Sequence, residues 1–112
     1  MNTQERRKSP RKKVAHPIPV VDQDREHVLG HLVNVSQKGF MLLSPAPLDI
    51  NRVFQLRIEL PQICGGEVIP LGAESLWREV SSSPGKYWVG FQIIDISPES
   101  SQRIRKLIEE HL

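Results

Sequence analysis

The segment at residues 53–60, which alternates strictly from Phe54 onward, constrains the fold more than any other feature of the sequence. Its apolar residues are separated by single polar ones, in the order Phe54, Gln55, Leu56, Arg57, Ile58, Glu59 and Leu60. Since consecutive strand residues point to opposite faces of a sheet, this pattern predicts a strand with one buried face and one face in water. Other short apolar runs between turn signals predict strands at 18–21, 28–35, 40–44, 68–80 and 87–94. The sequence therefore predicts an all-β body.

The C-terminal segment has a different period. Ser97 is a suitable helix N-cap, Pro98 suits the first helical position, and Glu99 complements the positive end of the helix. Apolar residues follow at helical spacing: Ile104, Leu107, Ile108 and Leu112. This stripe predicts a helix over about 97–112 that docks against the sheet. Short strands and one terminal helix suggest a closed or nearly closed antiparallel barrel, because closure removes exposed strand edges.

Length and composition limit the classes of protein that this chain can represent. Its 112 residues are enough for one domain. The single cysteine, Cys64, excludes an internal disulfide and argues for a reducing compartment. No apolar run reaches the roughly 20 residues of a membrane span, and no apolar core of a signal peptide follows the basic N-terminus. We therefore expect a soluble cytoplasmic protein without membrane insertion.

Charge is distributed unevenly along the chain. Residues 1–13 contain six basic residues and one acid, a net charge of +5, whereas the rest carries nine basic and twelve acidic residues, or −3. We predict a flexible basic arm over 1–13, followed by the barrel and helix over 14–112. On charge alone, two roles of the arm stay open. It can engage an anionic ligand, or it can be a solvated leader that keeps the protein soluble.

Enzyme motifs are scarce in this sequence. It contains no phosphate-binding loop, no dinucleotide-binding fingerprint, no metalloprotease helix motif and no nucleophile elbow. The four histidines lack the spacing of a zinc site, and Cys64 lies beside a Gly-Gly turn without an evident base partner. We therefore expect no catalytic residues, no metal and no cofactor.

Two short motifs carry the functional signal. Arg7 and Arg11 stand four residues apart, with Arg6 directly before them, and Asn-Val-Ser-Gln-Lys-Gly ends the predicted strand at 28–35. The combination of R-x-x-x-R with a later [DN]-x-S-x-x-G resembles the PilZ domain family. The segments at 71–77 and 89–91 also resemble that family.

The resemblance implies both a fold and a function. PilZ domains are six-stranded antiparallel β-barrels, usually with a C-terminal helix, which agrees with the strands and helix predicted above. They are bacterial receptors for the second messenger cyclic di-GMP. The resemblance therefore implies a receptor or adaptor without a reaction of its own, which passes its signal to an unidentified downstream protein.

The resemblance also implies roles for the arginines. Arg7 and Arg11 are the expected clamps, because a guanidinium can bind phosphate or guanine O6 and N7 with two hydrogen bonds and can stack on a base. In that family an Arg directly before the motif, here Arg6, accompanies binding of two intercalated cyclic di-GMP molecules instead of one. Arg6 can instead be an ordinary residue of the arm.

On the barrel side, the resemblance implies contacts from the second motif. Asn34 would present its amide to a guanine edge, and Ser36 its hydroxyl to guanine or phosphate. Gly39 would supply a positive φ or allow close approach of the ligand. Trp77 stands where some relatives place a tryptophan near the ligand, with half-buried packing as the alternative, and Trp88 is expected in the core.

Three alternatives stay open. Asn34, Ser36 and Gly39 can instead build a turn at the end of a strand. The whole protein can be a degenerate PilZ-type protein-interaction module that does not bind nucleotide. It can also bind nucleic acid through its arm, with loose and strongly salt-dependent affinity, although the acidic body offers no second basic surface.

Overall fold

The computed structural model describes residues 12–112, which form strands and one terminal helix. The strands are β1 (Lys12–Lys13), β2 (Pro19–Asp22), β3 (His27–Val35), β4 (Gly39–Ser44), β5 (Val53–Glu59), β6 (Val68–Val80) and β7 (Tyr87–Asp95). The helix is α1 (Pro98–His111), and a single 3₁₀ turn at Gln62–Cys64 joins β5 to β6. The six predicted strands and the predicted helix are all present, and each bound lies within one residue of the one expected.

Six of these strands close into an antiparallel barrel. Their order is β3–β2–β5–β6–β7–β4, and β4 pairs back with β3 to complete the circle. The predicted fold, a six-stranded antiparallel barrel with a C-terminal helix, is therefore confirmed. Closure leaves these six strands without an open edge.

The inner face of the barrel is apolar and is built by the alternation seen in the sequence. Phe54, Leu56 and Ile58 of β5 are buried. Phe40 and Phe91 stack with ring centroids 5.1 Å apart, and Phe54 meets Phe91 edge-on at 5.8 Å. The three rings tie β4, β5 and β7 together, since aromatic pairs contribute beyond the area that they bury.

Helix α1 docks on the barrel as its apolar stripe predicts. The Ser97 hydroxyl accepts a hydrogen bond from the backbone N–H of Ser100 at 3.0 Å, which caps the helix. Ile104 and Leu107 are buried in the core cluster. On the flank of the helix, Arg103 donates to the carbonyl of Val68 at 2.7 Å and so attaches α1 to the first residue of β6.

Strand β1 consists of the last two residues of the predicted basic arm. Lys12 pairs with Val35 and Lys13 with Asn34, so β1 runs antiparallel to the end of β3. The backbone N–H of Val14 donates to the carbonyl of Val33 at 3.0 Å and continues this pairing. The rest of the arm lies outside the described residues, and its predicted flexibility stays a prediction.

An ion cluster on the barrel surface joins β5 to the turn between β2 and β3. The guanidinium of Arg57 donates to both carboxylate oxygens of Glu26, at 2.9 and 3.0 Å, and to Glu59 at 2.8 Å. These hydrogen bonds and the positive charge of Arg57 hold the pKa of Glu26 below its ordinary value. Glu26 has a positive φ of 53°, a backbone conformation that is uncommon for residues other than glycine.

The cluster leads to a pH-dependent prediction for Glu26→Gln. A lowered pKa in the folded state contributes stability above the ordinary carboxyl pKa, and this is lost as the pH falls through the lowered value. Because the pair is solvent-exposed, we expect the variant to melt only slightly earlier than the parent at neutral pH, with the difference vanishing in strong acid. Thermal unfolding of both proteins between neutral and strongly acidic pH tests this. Glu110→Gln, on the exposed side of α1, is the control. A difference in melting temperature that did not change with pH would contradict the prediction.

Candidate ligand-binding site

The Asn-Val-Ser-Gln-Lys-Gly motif forms the end of β3, a tight turn and the first residue of β4. The backbone N–H of Ser36 donates to the carbonyl of Gly39 at 2.8 Å. The Ser36 hydroxyl donates to the same carbonyl at 3.2 Å and accepts from the backbone N–H groups of Lys38 and Gly39, each at 3.2 Å. A hydroxyl has one proton and two lone pairs, so these contacts use its full capacity. Ser36, with 3% of its surface exposed, acts inside the turn.

This geometry leads to a prediction for Ser36→Ala. The substitution removes one donor and leaves two backbone N–H groups without their acceptor, so we expect a loss of about 1–2 kcal/mol in the free energy of unfolding. Denaturant unfolding measures the loss, with Ser82→Ala in the exposed loop between β6 and β7 as the matched control. An unchanged free energy of unfolding would mean that the turn does not depend on the hydroxyl. Contact of Ser36 with a ligand stays a prediction.

Gly39 lies buried at the start of β4, opposite Gln92 of β7. In the described part of the chain, the glycines with positive φ are Gly65, Gly66 and Gly85. Of the two reasons expected for a glycine at position 39, the positive φ therefore does not apply. Close approach of a ligand to a residue without a side chain stays a prediction.

A row of directly paired residues crosses the outside of the barrel and contains two of the predicted site residues. The pairs are Lys13–Asn34, Asn34–Met41, Met41–Gly90 and Gly90–Trp77. Directly opposed residues of antiparallel strands share a face, and the neighbouring pair Phe40–Phe91 is buried. Because side chains alternate along each strand, the row from Lys13 to Trp77 faces outward. We call it the outer row. With strands about 4.8 Å apart, Asn34 and Trp77 are separated by about 14 Å along it.

Two irregularities in the sheet turn Asn34 and Trp77 outward. The register of β3 with β4 shifts between Leu32 and Asn34, and that of β6 with β7 shifts between Ser75 and Trp77. Leu32 and Ser75 are both buried, so unbroken alternation would point Asn34 and Trp77 inward as well. The extra residue of each bulge reverses this, which is a common use of bulges at binding sites.

Gly90 provides the surface on which Trp77 rests. A Cβ atom at residue 90 would overlap Nε1, Cε2 and Cζ2 of the Trp77 indole. The ring therefore lies directly on the backbone of β7. Trp77 is half-buried. It therefore does pack against the barrel, which was the alternative role considered for it. Part of its surface is still accessible.

Three members of the outer row were not among the predicted site residues, and the predicted location of Trp88 was wrong. Inter-strand register places Lys13, Met41 and Gly90 in this row. Met41 also has a local signal, because it follows Phe40 in the alternation of β4. Trp88 was expected in the core, and this is wrong. It is half-buried on the outer face opposite Leu43, because its neighbours Val89 and Phe91 both occupy inner positions.

The three predicted clamps, Arg6, Arg7 and Arg11, lie outside the described residues. Within residues 12–112, no three His, Cys, Asp or Glu side chains come together in a group that could hold a metal ion. No helix of that same part is long and apolar enough to cross a membrane.

The described residues thus form a closed antiparallel barrel with one terminal helix, and polar and aromatic side chains lie along its outer row. The PilZ domain model matches residues 5–110 of this sequence. The chain therefore belongs to the PilZ domain family, whose members are cyclic di-GMP receptors and not enzymes. A comparison with curated protein sequences found no match.

Solved structures of low sequence identity share the fold. The structure of YcgR from Escherichia coli in complex with c-di-GMP has a TM-score of 0.74 and 20% identity, with 92% of this chain and 44% of that one covered. The inhibitor of motility MotI/DgrA from Bacillus subtilis has a TM-score of 0.73 and 17% identity, with 92% and 49% covered. The PilZ domain of Escherichia coli YcgR with c-di-GMP has a TM-score of 0.71 and 16% identity, with 92% and 88% covered. This chain thus spans about half the length of the first two.

Proposed function

We propose that this protein is a cytoplasmic cyclic di-GMP receptor whose ligand lies against the outer row. The observation that carries the proposal is that this row brings Asn34 of the second motif onto the same outer face as Trp77. Membership of the PilZ family, and the structures of YcgR with c-di-GMP, support the choice of ligand.

The chemistry of the outer row suits a guanine dinucleotide. Asn34 offers an amide with donors and an acceptor for a guanine edge, and Lys13, directly opposite, offers a positive charge for phosphate. The accessible part of Trp77 offers a surface for base stacking, which contributes about 1–3 kcal/mol per base in other nucleic-acid sites. Lys13 thus joins the residues that the motifs predicted.

The arm is attached next to this row. β1 runs antiparallel to β3 with Lys12 opposite Val35, and Arg11 directly precedes Lys12 in the sequence. We propose that Arg7 and Arg11 clamp the ligand against the end of β3. Ser36 then contributes mainly by shaping the turn, and Gly39 by allowing close approach.

Arg6 directly precedes the R-x-x-x-R motif and adds a third guanidinium to the arm. It provides another stacking plane and more positive charge, which suits two intercalated cyclic di-GMP molecules better than one. The ordered complex of arm, ligand and barrel then signals to a separate partner protein.

Calorimetric titration of the whole protein with cyclic di-GMP at near-physiological salt tests the proposal. Saturation near two ligands per chain supports both the receptor function and the intercalated dimer. Saturation at one ligand per chain supports the receptor function and rejects the intercalated dimer. Cyclic di-AMP is the matched control, because it has the same charge and different bases. No heat and an unchanged melting temperature would favour the protein-interaction module, and equal binding of both dinucleotides or of random DNA would favour charge attraction alone.

A further inference from the structure

A separate cleft lies further along β3 and β4, toward the end of β4 that is remote from the Ser36 turn. Its volume is about 540 Å³, which falls in the range of roughly 300–1,000 Å³ typical of small-molecule sites. One side is formed by residues 14–17, which connect β1 to β2, and the other by β3 and the end of β4. None of the outer-row residues lines it.

The cleft is held open by backbone contacts on both sides. The connector at 14–17 is fastened at one end where Val14 N–H donates to the Val33 carbonyl at 3.0 Å. At the other end, Leu32 N–H donates to the Ile18 carbonyl at 2.9 Å. In the opposite wall, β3 and β4 are paired at His31 and Leu43, and their backbones lie so close that a Cβ at Gly30 would be 2.7 Å from the carbonyl oxygen of Leu43. The cleft is therefore largely pre-formed, which lowers the entropic cost of filling it.

Its lining is apolar inside and positive at the mouth. Val14, Leu32 and Leu43 supply apolar surface, and Leu32 is fully part of the core. The exposed side chains of His16, His31 and Lys86 supply imidazole and ammonium donors. The described part of the chain contributes no Asp or Glu to this lining.

We propose that this cleft binds a small amphipathic anion, namely a carboxylate or sulfonate on a short apolar body. The apolar body packs against Val14, Leu32 and Leu43, and the anionic group accepts hydrogen bonds from His31 and Lys86 at the mouth. This site is independent of the proposed cyclic di-GMP site. A ligand of this class would give the receptor a second input beside the nucleotide.

Fluorescence of anilinonaphthalene sulfonate, itself an amphipathic anion, provides the test on the whole protein. We expect saturable binding of one probe per chain. Decanoate should displace the probe, decanol should do so more weakly, and decyltrimethylammonium should not. Cyclic di-GMP at saturating concentration should leave the probe bound.

Variants connect the signal to the cleft. Lys86→Gln should weaken probe binding about threefold and the double variant His31→Gln/Lys86→Gln about tenfold. Lys106→Gln, which changes an exposed lysine on α1, is the matched control and should leave probe binding unchanged.

Ala15→Phe should block the cleft while leaving the circular dichroism spectrum and the calorimetric titration with cyclic di-GMP unchanged. Displacement by cationic and anionic amphiphiles alike, or full binding to Ala15→Phe, would overturn the proposal. Displacement by cyclic di-GMP would instead assign the cleft to the nucleotide site.

Discussion

Replacing Arg7 or Arg11 with Ala is expected to weaken cyclic di-GMP binding by about 5- to 150-fold each. This corresponds to the roughly 1–3 kcal/mol that one bidentate contact to guanine or phosphate contributes. Arg→Lys at either position should lose nearly as much affinity, since lysine keeps the charge but lacks the planar fork. We expect both variants to fold, because the described core cluster runs from Ile18 to Leu107 and joins the barrel strands to α1.

Lys12→Ala is the matched control for the arginine variants. Lys12 has the same charge, adjoins Arg11 in the sequence, and is exposed in β1 with its backbone paired to Val35. If the arginines act as specific clamps, Lys12→Ala should weaken binding less than about threefold, and added salt should remove most of that difference. Equal weakening by all three variants would reject clamping and leave simple charge attraction.

Arg6→Ala separates the two stoichiometries by the same titration. If Arg6 supports an intercalated dimer, the variant should bind one ligand per chain where the parent binds two. An unchanged number of ligands with unchanged affinity would make Arg6 an ordinary residue of the arm.

The elements of this fold could be predicted from the sequence because each has a local signal. Alternation across 53–60 defines one strand of the barrel, and the buried positions of β5 follow from it. Ser97 and Pro98 mark the start of α1, and the apolar stripe that follows determines its buried side. Each of these signals lies within a few neighbouring residues, so it can be recognised in the sequence without knowing which strands pair.

The candidate site could be predicted only in part, because its arrangement depends on inter-strand register. Alternation alone would place Trp77 on the buried side with Ser75, and Asn34 on the buried side with Leu32. The two bulges that reverse these orientations have no clear signal in the sequence. The motif did identify Asn34, Ser36 and Gly39 as neighbours, but it left open whether the Ser36 hydroxyl faces a ligand or the turn. The hydrogen bonds show that the Ser36 hydroxyl is engaged within the turn.

The second large effect is expected for Gly90→Ala, which tests how Trp77 is held in the outer row. The added Cβ would overlap the indole, and the backbone of β7 cannot move away because both neighbouring strands pair with it. The ring must therefore leave its position. Overpacking of this kind costs about 1–3 kcal/mol, and the size of the displaced group places the expected loss near the upper end.

Gly72→Ala is the matched control, since Gly72 is also a buried strand glycine. Its added Cβ would lie 3.2 Å from Cβ of Asp95, which need yield only a few tenths of an ångström, and 3.4 Å from Nε2 of Gln55, which lies at the end of an exposed, flexible side chain. We expect a change within about 1 kcal/mol for this variant. Fluorescence in a Trp88→Phe background should report the displacement of Trp77, as a red-shifted emission in Gly90→Ala but not in Gly72→Ala.

A double-mutant cycle decides whether the contact itself causes the loss. With the indole removed by Trp77→Ala, a Cβ at residue 90 has room, so Gly90→Ala should then cost less than about 1 kcal/mol. The coupling energy between the two positions would then be about 2 kcal/mol, within the range seen for residues in direct contact. The same cost in both backgrounds would mean that Trp77 does not rest on Gly90.

If the coupling is found, titration of Gly90→Ala with cyclic di-GMP shows whether the indole in its position on Gly90 is also needed for binding. A receptor that stacks a base on Trp77 should lose affinity in this variant, whereas a purely structural tryptophan would leave the affinity of the folded protein unchanged.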